Sequence, residues 1–233
     1  MITLRNARKI YKTVHERRVI LDDVTLTLPA GRSIGIFGAN GAGKSTLVRL
    51  IAGVERLDKG SIQRAGSVSF PLGFGGTFHP HLSGRENIRF LARVYDTPAA
   101  AALDYVERFA ELGGYFRAPV GTYSSGMVAR LAFGACLAIS FDLYLIDEVT
   151  AVGDARFRRK CLEAFEERAA VSDVLIVSHD EGTIRAWCDM GAVLHQGRLE
   201  LFDDLNAAIE RQRQCQLGGG TMNERQGESY GRG

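Results

Sequence analysis

The feature that most constrains this chain is a glycine-rich loop between an apolar strand and a helix. Residues 33–37 form an apolar run that predicts a buried strand, and a helix is predicted over about 44–52. The motif G-x-x-x-x-G-K-[ST] stands between them, spelled Gly38-Ala39-Asn40-Gly41-Ala42-Gly43-Lys44-Ser45. Small residues let consecutive backbone N–H groups surround phosphate oxygens at a helix N-terminus. The order strand, loop and helix therefore predicts a nucleotide-binding α/β domain rather than a chance glycine loop.

This loop, the P-loop (residues 38–45), assigns roles to particular side chains. Lys44 is expected to reach the β- and γ-phosphates of ATP, and the hydroxyl of Ser45 is expected to ligate Mg²⁺. The remaining residues expected to contact the nucleotide here are Gly38, Asn40, Gly41, Gly43 and Thr46.

A second apolar strand, residues 143–146, ends in the carboxylates Asp147 and Glu148. With a P-loop upstream, Asp147 is expected to hold Mg²⁺, commonly through water. Glu148 is expected to orient and polarise the water that attacks the γ-phosphate. The alternative is a strand that merely ends in solvated acids. The combination with the P-loop favours ATP hydrolysis.

Composition narrows the classes of partner. The chain has 233 residues, is 45% hydrophobic and carries a formal net charge of +2. That charge is too mild to favour a nucleic-acid partner, which usually requires a strongly basic face. A bilayer-spanning helix needs roughly 20 apolar residues, and the uncharged apolar run at 131–141 falls well short of that length. The four cysteines are widely spaced, which favours reduced thiols over a disulfide framework.

Periodicity places these motifs along the chain. Strands are predicted over 2–11, 18–28, 173–177, 190–195 and 198–202. Helices are predicted from the capping box at residue 83 to about 95, over about 97–112, 125–139, 155–170 and 180–187. Residues 66–82 are predicted to be loop. We expect the folded domain to cover 1–214, with a helical lobe inserted at about 83–139, and residues 215–233 to form a disordered tail.

From residue 2 to about 203 the sequence resembles the ATP-binding cassette (ABC) ATPase family. The run Tyr123-Ser124-Ser125-Gly126-Met127 stands where that family carries its signature, usually Leu-Ser-Gly-Gly-Gln. The resemblance implies that Ser124 and Gly126 face the γ-phosphate of ATP bound by a second subunit. A helix cap at Ser124 is the alternative role for this residue.

Three further site residues follow from the resemblance. Asp154, in the run Val149-Thr150-Ala151-Val152-Gly153-Asp154, matches the D-loop that touches the opposite subunit, although it also suits a helix N-cap. His179 matches the switch histidine that contacts the γ-phosphate and the attacking water, where the alternative is a cap or surface histidine. Tyr11 matches the aromatic residue that stacks on adenine, and core packing is its alternative role.

One family feature is missing. ABC ATPases normally carry a glutamine in the loop before the helical lobe, where it touches Mg²⁺ and the membrane partner, and residues 66–86 contain none. The same loop carries Phe74, Phe78 and Leu82. We expect these apolar side chains to be exposed and to anchor a partner, the alternative being packing inside the lobe. His79 and His81 flank a proline and are expected to be loop residues rather than metal ligands.

The departures narrow the resemblance to a group. Residues 82–87, 123–127 and 148–157 resemble ATPases of Gram-negative polysaccharide exporters, most of all the capsular polysaccharide group. O-antigen relatives often add a carbohydrate-binding domain, whereas we expect at most a short tail after this domain, which favours the capsular type. O-antigen export, teichoic acid export and a soluble ABC ATPase acting on nucleic acid or ribosomes are the alternatives.

The expected fold is therefore α/β: a P-loop NTPase core of the ABC type, an N-terminal antiparallel β-subdomain and an inserted α-helical subdomain. The resemblance implies a head-to-tail homodimer with two ATP·Mg²⁺ sites. It also implies a peripheral position on the cytoplasmic face of the inner membrane, a separate membrane-spanning permease, and a lipid-linked polysaccharide as cargo.

Overall fold

The structure is a computed structural model and describes residues 1–12, 14, 16–72, 77–147, 155–178 and 181–219. Its strands are β1 Ile2–Lys12, β2 Arg17–Leu28, β3 Ile34–Phe37, β4 Lys59–Arg64, β5 Leu143–Asp147, β6 Asp173–Val177, β7 Met190–His195 and β8 Arg198–Phe202. Its α-helices are α1 Lys44–Ala52, α2 Gly84–Val94, α3 Ala99–Ala110, α4 Ser125–Ala138, α5 Ala155–Ala169, α6 Glu181–Trp187 and α7 Leu205–Gly219. Short 3-10 helices cover Gly113–Arg117 and Val120–Thr122.

The chain divides into two compact units. The first contains Met1–Ala65 and Leu175–Gly233, and the second contains Gly66–Val174. No helix in the part of the chain that the structure describes is both long enough and apolar enough to cross a bilayer.

An antiparallel sheet in the order β2-β1-β4 opens the first unit, which confirms the predicted β-subdomain. Strands β1 and β2 pair from Ile2↔Leu28 onward, and alternate apolar side chains such as Leu4 are buried. Strand β4 was not predicted. Its sequence, KGSIQR, has a single apolar residue, Ile62, so it carries no alternation; it forms because its backbone pairs with β1.

A mostly parallel sheet forms the rest of the first unit. All four residues of β3 are buried, and β3 pairs in parallel with residues 175–177 of β6 on one side and with β7 on the other; β8 follows antiparallel to β7. A strand buried on both faces reads as a continuous apolar run. The P-loop therefore begins at the carboxyl end of a central strand, where α/β sheets bind ligands.

Glycines on this sheet let two helices approach closely. A Cβ on Gly35 would lie 2.4 Å from a methyl of Ile184 on α6, and a Cβ on Gly191 would lie 2.3 Å from Ala208 on α7. Helix α7 was not predicted. It continues through Gly219, beyond the position 214 at which the sequence analysis ended the folded domain; the rest of the expected tail, 220–233, lies outside the described residues.

The second unit holds helices α2 to α5 and strand β5. Helix α2 begins with the predicted capping box: the Ser83 hydroxyl accepts from Glu86 N, and the Glu86 carboxylate accepts from Ser83 N at 2.8 Å. Helices α3 and α4 pack together where Gly134 faces Val106 and Phe109, each 3.4 Å from the position of a Cβ. These contacts give the helical lobe its own apolar core.

The loop before α2 corrects one prediction. Phe78 is only 8% exposed and belongs to the core, so the expectation that it is an exposed anchor is wrong, and packing within the unit is its role. Leu82 is 37% exposed as expected, and Phe74 lies outside the described residues. Residues near the start of the predicted loop bridge to β5, at Val68↔Leu143 and Leu72↔Ile146.

Candidate functional site

The P-loop has a backbone that only glycine can supply at two positions. Gly38 is buried at the end of β3 with φ 156°, and a Cβ there would lie 2.6 Å from the carbonyl oxygen of Leu194. Gly43, the N-cap of α1, has φ 106°, and a Cβ there would lie 2.6 Å from a methyl of Ile20. Side chains at these positions would strain or displace the loop. The glycines of the motif therefore hold the loop against neighbouring strands.

Lys44 lies inside this loop. Its side chain is buried, and its ammonium donates to the carbonyl oxygens of Gly38 at 2.7 Å and Ala39 at 3.1 Å. Helix α1, which begins at Lys44, has no side-chain cap and no acidic residue in its first turn. A helix N-terminus without a carboxylate, with a lysine beside it, suits an anion such as a phosphate.

The other residues predicted to contact the nucleotide divide between surface and interior. Asn40, Gly41 and Ser45 are exposed, whereas Thr46 is buried and accepts a hydrogen bond from Arg49 Nη2 at 3.0 Å. The guanidinium of Arg18 lies beside the loop: a Cβ on Gly41 would be 2.5 Å from Arg18 Nη2. Sequence reasoning missed Arg18 because nothing in strand β2 marks a basic residue as facing the loop.

Tyr11 is half-buried near the end of β1, and its hydroxyl donates to the carboxylate of Glu55. Arg49 Nη2 lies 3.4 Å from the Tyr11 oxygen, so the structure brings Tyr11 and the P-loop helix into one hydrogen-bonded group. Sequence reasoning found Tyr11 and missed Glu55 and Arg49. Single acidic and basic residues near the C-terminal end of a helix carry no motif that would distinguish them.

A cavity of about 320 Å³ adjoins the first residues of the P-loop. Helix α7 contributes Gln212, Arg213 and Gln216 to its wall, and Arg213 lies 3.5 Å from the carboxylate of Glu181, which also lines it. The cavity shows that an element missing from the sequence prediction borders the phosphate-binding loop.

Three of the candidate residues that the structure describes belong to the second unit. Ser124 is exposed and is the N-cap of α4, where its hydroxyl accepts from Met127 N at 3.2 Å. Gly126 is half-buried in the first turn of that helix. Asp147 is half-buried at the end of β5, a strand fastened by the hydrogen bond from Leu145 N to Ser69 Oγ at 2.9 Å. Ser124 therefore does cap helix α4, which was its alternative role. Its contact with a second subunit stays a prediction.

The predicted catalytic residues Glu148 and His179 and the predicted D-loop residue Asp154 lie outside the described residues. Their roles stay predictions. Among the residues that the structure describes, no group of three or more His, Cys, Asp or Glu is arranged to hold a metal ion. His79 and His81 have ring centroids 5.6 Å apart, and the backbone of His79 exchanges hydrogen bonds with the Asn87 side chain.

Comparison with known proteins places the chain. The ABC transporter family matches residues 21–151. The polysialic acid transport ATP-binding protein KpsT of Escherichia coli is 42% identical over 93% of this chain and 98% of its own length. The capsule polysaccharide export ATP-binding protein CtrD of Neisseria meningitidis serogroup B is 46% identical over 90% of this chain and 97% of its own.

A solved structure shows the same fold. The dimeric post-hydrolysis structure of the ATP-binding cassette MJ0796, bound to ADP and Pi, has a TM-score of 0.69 at 22% identity and covers 86% of this chain and 97% of that one. The expected ABC-type α/β fold is confirmed. Because the family match covers more than half of the sequence and both relatives align along nearly their whole length, the chain belongs to the ABC transporter family as an ATP-binding protein.

Proposed function

We propose that this chain is the ATP-hydrolysing subunit of an exporter that moves lipid-linked capsular polysaccharide outward across the inner membrane. The observation that carries this proposal is the similarity to KpsT and CtrD, which are 42% and 46% identical to this chain over at least 90% of its length. The glycine-rich loop before α1 supports it. The chain would act at the cytoplasmic face of the membrane, bound to a separate permease.

Phosphate binding follows from the P-loop. Backbone N–H groups at the start of α1 surround the phosphate oxygens, and the Lys44 ammonium, now bonded to Gly38 and Ala39, moves its charge toward the β- and γ-phosphates. The exposed hydroxyl of Ser45 and the carboxylate of Asp147 are the hard oxygen donors that Mg²⁺ prefers. Mg²⁺ would supply neutralisation of the charge that develops on the transferred phosphoryl group.

Hydrolysis would depend on two residues that each follow a strand closely in the sequence. Glu148, directly after β5, would orient the attacking water and accept its proton. His179, after β6, would contact the γ-phosphate and that water. Both residues lie outside the described part of the chain, so these roles rest on the family resemblance and on their position in the sequence.

Two copies of the chain would form each ATP site. Ser124 is exposed at the N-terminus of α4, and a Cβ on Gly126 would meet, among the described residues beyond its chain neighbours and helix backbone, only Ser124 Oγ at 3.9 Å. A backbone this accessible suits contact with the γ-phosphate held by a second copy. Asp154 would touch the opposite subunit from the D-loop.

The permease would contact the outer face of α2. Phe90 is 61% and Val94 56% exposed, one turn apart on this helix. The exposed arginines Arg85, Arg89 and Arg93 form a parallel stripe at the same spacing. An apolar stripe beside a basic one suits a cytoplasmic segment of the permease that carries both apolar and acidic side chains.

A complementation experiment tests the function. In a capsule-negative strain that lacks its own export ATPase, the wild-type chain supplied with its cognate permease is expected to restore surface polysaccharide. Lys44→Ala is expected to fail and to leave the polymer inside the cell. Restoration by Lys44→Ala, or an unchanged surface when the gene is deleted from its own host, contradicts the proposal.

A further inference from the structure

Five side chains near the end of β1, on α1 and just after α1 form one hydrogen-bonded group, which we call the Glu55 cluster: Lys9, Tyr11, Thr46, Arg49 and Glu55. The two carboxylate oxygens of Glu55 accept from three donors. Oε1 accepts from the Tyr11 hydroxyl and from Lys9 Nζ, the latter at 2.9 Å, and Oε2 accepts from Arg49 Nε at 3.0 Å. Glu55 is therefore the common acceptor of the cluster.

Arg49 connects the cluster to the P-loop helix. Its Nη2 donates to Thr46 Oγ1 at 3.0 Å, and Thr46 is buried in the first turn of α1, directly after Ser45. The backbone N–H of Glu55 donates to the carbonyl oxygen of Arg49 at 3.3 Å, at the C-terminal end of the same helix. The cluster thus ties the end of β1 to the helix that presents the phosphate-binding loop.

The side chains of the ion pair between Lys9 and Glu55 are shielded from solvent, so their hydrogen bonds can hold them in place. The side chains of Lys9 and Glu55 are 12% and 18% exposed, well below the exposure of a surface ion pair. Burial raises the pKa of Glu55, but hydrogen bonds from Tyr11, Lys9 and Arg49 outweigh it and lower that pKa below its ordinary value. The carboxylate is therefore ionised at neutral pH, where it holds two cations that would otherwise repel each other.

The same group fixes the ring of Tyr11. Its hydroxyl is held at one end by Glu55, and Lys9 Nζ lies over the ring, 5.1 Å from the centroid. A base that stacks on Tyr11 must then use the opposite face of the ring. An aromatic side chain ordered before its ligand arrives loses less conformational entropy on binding.

We propose that Glu55 is a positioning residue for adenine recognition, which orients the Tyr11 ring and couples it to the P-loop helix through Arg49. The inference rests on the proposed function, because it requires that the P-loop binds ATP and that Tyr11 stacks on the base. Glu55 is not among the residues expected to contact phosphate or Mg²⁺.

The test compares two ligands by calorimetry on the purified full chain. ATP uses both the base and the phosphate contacts, whereas inorganic tripolyphosphate uses the P-loop alone. Glu55→Gln keeps the size of the side chain but replaces one acceptor oxygen by a donor; it is expected to raise the Kd for ATP about fivefold, the scale of one lost hydrogen bond. The Kd for tripolyphosphate is expected to stay unchanged.

Two further variants isolate the route through Tyr11. Tyr11→Phe keeps the aromatic ring and removes the hydroxyl that donates to Glu55, so it is expected to weaken ATP binding by a similar factor. The double variant is expected to be no weaker than either single one, because both remove the same bond. Glu107→Gln, at an exposed glutamate of α3, serves as the matched control and is expected to bind both ligands like the wild type.

Each other outcome contradicts the role of Glu55. If Glu55→Gln binds ATP as tightly as the wild type, Glu55 has no part in adenine recognition. If the effects of Glu55→Gln and Tyr11→Phe on the Kd for ATP add, Glu55 does not act through Tyr11. If Glu55→Gln weakens the binding of ATP and tripolyphosphate equally, Glu55 contributes only to general stability. Failure of the wild-type chain to bind ATP would instead contradict the proposed function itself. If Lys44→Ala weakens ATP binding and Glu55→Gln leaves it unchanged, the proposed function stands and only the role of Glu55 is contradicted.

Discussion

Lys44 and Glu148 separate ATP binding from ATP hydrolysis. Lys44 is buried within the phosphate-binding loop, whereas Glu148 follows the strand that ends in Asp147. We expect Glu148→Gln to lower turnover by roughly 10²–10⁴, the scale of a lost general base, while ATP still binds. Lys44→Ala is expected to weaken binding itself. Both expectations are checked by measuring phosphate release and nucleotide affinity on the same preparations. Near-normal turnover in Glu148→Gln would show that Glu148 is not the general base.

The cysteines give a prediction of chemical reactivity. Burial raises the pKa of the thiols of Cys136, Cys161 and Cys188, each to about 12. The thiolate is the reactive form, so these three are expected to resist a disulfide reagent at pH 8. Half-buried Cys215 is expected to react. The reagent should count one thiol in the folded chain and four after denaturation; rapid labelling of three or more in the folded chain would show that the interior is open.

At the scale of elements, substitutions in helix α2 and in the loop before it are expected to have opposite effects on stability and on export. Phe78 is buried, so Phe78→Ala is expected to lower the free energy of unfolding by about 3–5 kcal/mol. Phe90 is exposed, so Phe90→Ala is expected to leave stability and basal ATP hydrolysis unchanged while lowering membrane association and export. Val171→Ala, at another exposed apolar position, is the control. Normal export by Phe90→Ala would exclude this face of α2 from the docking surface.

The sequence predicts a helix or strand well when the apolar residues of that element follow a clear pattern. Strands β7 and β8 occupy their predicted ranges because β7 is an apolar run and β8 alternates leucines with charged residues. Strand β4 escaped prediction because it is mostly polar and pairs with β1, which is distant in the sequence. Helix α7 escaped prediction because polar residues interrupt its apolar positions.

The candidate site shows the same division. A local motif identified the P-loop, and the family resemblance supplied Tyr11. The partners of Tyr11 could not be found this way, because Glu55 reaches it only after α1 has returned the chain to the end of β1. The burial of Phe78 is also a tertiary effect, since a loop sequence does not reveal which of its aromatic residues faces the core.

For the whole molecule, the central expectation is assembly driven by ATP. Because Ser124 would complete the site of a second copy, Glu148→Gln is expected to form dimers when ATP is added and to remain dimeric, since hydrolysis cannot reopen the interface. Light scattering with and without ATP measures the mass. Adding Ser124→Arg should return the protein to monomers in ATP; dimers that form equally well without nucleotide and survive that change would contradict the shared site.

The most direct measurement is transport itself. Inside-out membrane vesicles that contain the cognate permease and this chain would be supplied with radiolabelled lipid-linked capsular polysaccharide, and the label protected inside the vesicles would be counted. We predict accumulation with ATP and Mg²⁺, none with ADP, and none when the chain carries Lys44→Ala or Glu148→Gln. Accumulation that proceeds without ATP, or that is equal in the Glu148→Gln vesicles, would contradict the claim that this chain hydrolyses ATP to drive polysaccharide export.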